Sequence, residues 1–143
     1  MSRDPFCAEC SVQACMKHTI PEEAPAYCPT LAFDGVVART RTELAEHAEL
    51  HNLAVAAART EATGYLKWTR VEEIVHFARQ IGARKLGIAT CVGLIRESRV
   101  ASKIFRRQGF KVISVCCKVG SVDKSEIGLG PEERIHQGQF EAI

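Results

Sequence analysis

Apolar positions along this chain change period several times, and each change marks an element. Val71, Ile74, Val75, Ala78 and Ile81 recur at helical spacing, Thr69 and Glu72 stand three apart in capping-box register, and Gly82 follows. The pattern predicts a helix over about 70–81. Leu86, Ile88 and Ala89 then form a short apolar run, predicting a strand over about 85–90, and the β-branched set Val112, Ile113, Val115 and Val119 predicts a second over about 111–119. Between them Leu94, Ser98, Ala101, Ile104 and Phe105 return to helical spacing, with Gly109 as the terminating residue. Strand, helix and strand make one right-handed βαβ crossover.

Upstream, Leu44, Ala48, His51, Val55 and Ala58 share a face and predict a helix over about 41–62, capped by Thr40 with Glu43. Residues Leu31 to Ala38 offer a further strand, interrupted by Asp34 and Gly35. Before them Pro5, Pro21, Pro25 and Pro29 sit in a segment without periodicity, which reads as irregular. After Gly120, residues Gly128, Gly130, Pro131 and Gly138 break any element, so a long loop is expected, with one short turn near Glu132 to Ile135. The fold class is therefore α/β with an open, mostly parallel sheet. A cysteine-rich segment over 1–30 precedes an α/β domain over 31–143, the two forming one globular unit. Two strands make a poor sheet, so the domain is expected to be incomplete or to finish its sheet as a homo-oligomer.

Composition narrows the class without changing it. The chain has 143 residues, 46% hydrophobic and 25% charged, which suits an ordinary globular domain. No apolar run reaches membrane-spanning length, and Arg3, Asp4 and Glu9 occupy the place where a signal peptide needs an apolar core, so the cytoplasm is the expected compartment. The formal charge is +2. Arg99, Lys103, Arg106 and Arg107 cluster on the crossover helix, where a solvated face explains them better than nucleic acid does. Seven cysteines in a reducing compartment point to metal ligands or reactive thiols, and an odd count argues against a closed disulfide framework.

Those cysteines fall into two groups. Cys7, Cys10, Cys15 and Cys28 form C-x2-C-x4-C-x12-C in a segment with no other reason to fold. A C-x2-C pair delivers two sulfurs from one turn, and two more thiolates complete a zinc site or hold an iron–sulfur cluster; His18 is a possible substitute ligand. The second group stands at the strand exits, with Thr90, Cys91 and Gly93 at the first and Cys116, Cys117 and Lys118 at the second. Open α/β sheets bind ligands at that edge. Cys91, placed at the start of the crossover helix, is the candidate thiolate and catalytic nucleophile, with Lys118 or Lys124 for an anionic substrate, although no histidine pairs with it. Cys91 and Cys117 also suit buried small apolar positions, which leaves a zinc-stapled interaction domain as an alternative. His47 and His51 share a helix face but lack an accompanying acid in register for a metal site.

The run YLKWTRVEEIVHFARQIGARKLGIATCVGL, the run GFKVISVCCKVGSVDKSEIGL, the early CAEC and the YCPT at Tyr27 to Thr30 together resemble domain of unknown function 1847, a bacterial and archaeal family often labelled predicted metal-binding. The resemblance implies a first ligand group of Cys7, Cys10, Cys15 and Cys28, and a second containing Cys91 and Cys117 beside Lys118, Asp123 and Lys124. It assigns nothing to Cys116. It also implies that family members continue past the segment matching Phe140 to Ala142 with a further cysteine in a Cys-Asn-Pro motif and more α/β structure. On that expectation Cys91 and Cys117 are part of a larger metal or cluster site.

Overall fold

A computed structural model describes residues 4–142. The chain divides into two compact units, one reaching Val55 and the other beginning at Ala56.

The first unit holds the one-turn helices α1 (Ala14–Lys17) and α2 (Pro29–Ala32), then α3 (Asp34–Glu46); α4 (Ala48–Gly64) starts in this unit and runs into the second. The single helix expected over 41–62 is thus two, and the chain from Leu31 to Ala38 is helical rather than a strand. Asp34 accepts the Gly35 N–H at 2.7 Å and brings a negative charge to the first turn of α3, which favours helix at the place where Asp and Gly were read as strand breakers. Thr40 lies inside α3 and donates back to the Val36 carbonyl at 2.9 Å, so it caps nothing. The break comes at His47, whose backbone is extended, and the freed Leu44 carbonyl lies 3.1 Å from His51 Nδ1.

The second unit carries α5 (Arg70–Gln80), β1 (Lys85–Thr90), α6 (Ile95–Arg107) and β2 (Lys111–Cys116). Thr69 and Glu72 make the full capping box at the start of α5. Both helices end in the same way. Gly82 and Gly109 take positive φ, their N–H groups reach the Arg79 and Arg106 carbonyls, and the next residues, Ala83 and Phe110, donate to Ala78 and Phe105. These are Schellman caps, and each feeds the chain directly into a strand.

β1 and β2 pair in parallel, with Lys85 opposite Lys111 through to Thr90 opposite Cys116. Alternation sends Leu86, Ile88 and Val112 to one face, where they meet Val71, Val75 and Ala78 of α5, Ala101 and Phe105 of α6, and Phe110. Phe105 and Phe110 are each 6% exposed, a burial worth about 1.5–3 kcal/mol apiece. The opposite face is open: Ile113 and Val115 are more than half exposed. The second strand stops at Cys116, short of the expected 119, because Val119 N–H turns back to the Cys116 carbonyl and Gly120 and Ser121 both adopt positive φ.

The segment after Gly120, expected as a loose loop, is tied down. Asp123 and Ala142 form an antiparallel bridge, with short 3₁₀ turns at Lys124–Ile127 and Pro131–Glu133 between them. Asp123 is the hub. Its carboxylate pairs with Arg134, accepts from Ser125 N–H and Glu141 N–H at 2.9 Å each, and caps the first turn, while Lys124 pairs with Glu141. No helix among the described residues is long and apolar enough to cross a membrane.

Candidate functional site

Parallel register places the exits of β1 and β2 side by side. Cys117 N–H donates to the Thr90 carbonyl at 2.8 Å, which extends the ladder one step beyond the Thr90 and Cys116 pair and brings Cys91 opposite Cys117. Alternation puts both on the sheet face opposite the helices. The two cysteines thus stand as neighbours at the sheet edge. Cys116 points the other way, into a cleft between β2 and α6 that it lines with Arg99, Lys103 and Arg106.

The sulfur with the strongest support is Cys117. Val92 N–H, the first amide past the β1 exit, donates to Cys117 Sγ at 3.4 Å. That bond is the main reason the Cys117 thiol is held below its ordinary range; partial burial opposes it, and the Cys91 thiol and the Lys118 charge add to it. The nucleophile reading gave the thiolate role to Cys91 at a helix start. In the structure Cys91 instead precedes a 3₁₀ turn, Val92–Leu94, whose first amide is aimed at its neighbour's sulfur.

Both lysines expected to receive an anion are engaged by the terminal segment. Lys118 Nζ donates to the Ala142 carbonyl, and Lys124 donates to the Glu133 carbonyl at 2.5 Å and pairs with Glu141. Their charges anchor the terminal segment against the loop that follows Cys117. Asp123 belongs to the same clasp, and Arg134, with Ser125 and Glu141 after it, holds its carboxyl well below the usual carboxylate range. Arg134, Glu141 and Val92 were absent from the sequence-based set. Only the Asp123 and Glu126 capping-box spacing could have pointed to any of this.

In the first unit Cys7 and Cys10 bracket a 3₁₀ turn, with Cys10 N–H on the Cys7 carbonyl at 3.0 Å. Cys15 and His18 line one cleft of about 590 Å³ together with Asp34. Cys28 stands just before α2, where the Thr30 N–H chiefly lowers its thiol pKa. Cys7 and Cys15 are exposed, Cys10 and Cys28 half-buried. Among the described residues, no three side chains of His, Cys, Asp or Glu come together as a metal-binding group, in this unit or at the strand exits. The strand-exit pair places two cysteines side by side, where a tetrahedral thiolate site needs four ligands.

The chain belongs to the family described as protein of unknown function (DUF1847), which it matches over residues 28–143. That span contains Cys28, Cys91, Cys116 and Cys117 and begins after Cys7, Cys10 and Cys15. It is also similar to "Uncharacterized protein MJ0455" of Methanocaldococcus jannaschii, with 39% identity over 106 residues, covering 73% of this chain and 53% of that protein. The chain thus spans about half the length of this curated relative. No solved structure matches it.

Proposed function

We propose that this protein binds a thiophilic metal ion or an iron–sulfur cluster through thiolates, with Cys91 and Cys117 as two of the ligands. The observation that carries the reading is the convergence of these two cysteines at the carboxyl edge of a parallel sheet, one step beyond the Thr90 and Cys116 pair, with the Val92 amide on Cys117 Sγ. Zinc and iron–sulfur clusters take thiolate sulfur, and a sheet edge with two preformed thiols and an amide donor presents it at little ordering cost. The pair accounts for two ligands of a four-thiolate set, and the others come from outside it. The C-x2-C turn at Cys7 and Cys10, with Cys15 and Cys28, extends the same chemistry to a second group.

Purification without oxygen, elemental analysis and a visible absorption spectrum test the reading. Stoichiometric metal is expected, with loss of at least one equivalent in Cys91→Ser and in Cys117→Ser. Colourless protein that holds no metal after reconstitution with iron and sulfide or with zinc overturns it.

A further inference from the structure

We infer that, free of metal, Cys91 and Cys117 are a redox-active dithiol that closes to a cross-strand disulfide on reaction with a low-molecular-weight disulfide. Three observations, with the ordinary spacing of paired strands, bring the two residues together for this. The residues stand one register step beyond Thr90 and Cys116 on adjacent parallel strands. Strand spacing of about 4.8 Å lies inside the window of about 4.4–6.8 Å between Cα atoms that a disulfide spans. The Cys117 N–H to Thr90 carbonyl bond holds that spacing at the exit itself. The Val92 N–H, on the residue directly after Cys91, lies 3.4 Å from Cys117 Sγ, and both cysteines are exposed to an incoming oxidant.

Cys116 is the obvious competitor and is badly placed. It lies on the opposite sheet face, lining the cleft against α6. A disulfide between the neighbours Cys116 and Cys117 would also have to distort the chain as it turns back to the Cys116 carbonyl.

The exchange balances. One thiolate of the pair attacks a sulfur of the external disulfide, forming a mixed disulfide and expelling one external thiolate. The second thiolate attacks the protein sulfur of that mixed disulfide, forming the Cys91 to Cys117 bond and expelling the second external thiolate. Two electrons pass from the pair to the external disulfide, and the two thiol protons of the pair end on the two released thiols.

The inference stands whether or not the protein binds metal in the cell, and its test removes metal first. Chelator-treated full-length protein is incubated with oxidised glutathione, alkylated and digested, and the cysteine-containing peptides are mapped by mass spectrometry. The peptides carrying Cys91 and Cys117 are expected to appear joined, with alkylation of Cys91 falling at least tenfold and recovering after dithiothreitol. Cys116→Ala should leave the linkage intact, and Cys117→Ser, with an unchanged circular dichroism spectrum, should leave Cys91 fully alkylated or carrying glutathione. Linkage of Cys91 to Cys116 or to Cys7, Cys10, Cys15 or Cys28, or a Cys91 that stays freely alkylated at every glutathione ratio, overturns the inference. Metal binding with no such linkage overturns it while leaving the proposed function standing.

Discussion

Gly64 closes α4, and an added methyl group there sets two effects against each other. Alanine in a helix is worth about 0.5–1 kcal/mol over glycine, and Gly64 has no positive φ that would forbid it. The new Cβ, however, would lie 2.3 Å from Cε3 and 2.8 Å from Cδ2 of Trp68. Ordinary carbon contacts are about 3.5–4.0 Å, so the indole must retreat by roughly 1 Å. It cannot do so freely, because it is stacked on His76 with centroids 3.9 Å apart and planes 6° from parallel. Overpacking costs about 1–3 kcal/mol and loss of an aromatic stack about 0.5–1.5 kcal/mol, so the clash outweighs the propensity gain. Gly64→Ala is therefore expected to destabilise the second unit by about 1–2 kcal/mol. Urea titration followed by fluorescence reads it directly, since Trp68 is the lone tryptophan: a lower midpoint, an unchanged slope and a shifted native emission are expected. In a Trp68→Leu background the same substitution should become neutral or stabilising. A Gly64→Ala protein as stable as the parent, with unaltered emission, refutes the packing argument.

Two further outcomes follow from the strand exits and the terminal clasp. Val92→Pro deletes the amide that supports Cys117, and Cys91 already has the extended φ −66°, ψ 146° that a residue before proline requires. The pH midpoint for alkylation of Cys117 should move upward while the far-ultraviolet circular dichroism stays the same; an unmoved midpoint removes the amide from the account. The carboxyls of Asp123 and Glu141 are both lowered by their partners, Asp123 chiefly by Arg134 and Glu141 chiefly by Lys124. A depressed folded-state pKa gives stability that is present above the unfolded value, near 4, and lost as the pH falls toward the folded one. Amide exchange in residues 121–142, read by mass spectrometry, should stay slow at neutral pH and accelerate on acidification below about pH 4, ahead of exchange in β1 and β2. Exchange that is independent of pH after correction for the intrinsic rate contradicts this.

What could be read from residue order was local. The capping box of Thr69 with Glu72, the glycines at 82 and 109, and the strand from Lys85 to Thr90 all follow from side chains and neighbours within one turn, and all appear in the structure. Thr40 with Glu43 had the same spacing and failed, because Asp34 starts the helix earlier and makes Thr40 an interior residue. The terminal segment failed in the other direction. Its glycines and Pro131 mark turns correctly, yet the order comes from Asp123 meeting Arg134 and Glu141, residues 11 and 18 positions away.

The same division runs through the candidate site. That thiols stand at both strand exits was legible, since a βαβ pattern brings the carboxyl ends of its strands to one edge. Which cysteine faces which was decided by register. Element order alone made Cys91 the thiolate and put Cys116 and Cys117 together at the second exit, and only the family resemblance grouped Cys117 with Cys91. Pairing Thr90 with Cys116 supplies the physical reason, sending Cys116 toward α6 and setting Cys117 beside Cys91. Hydrophobic periodicity determines elements because it acts over a few residues. Side-chain partnership across a sheet depends on a one-residue choice of register, and only the packed strands make that choice.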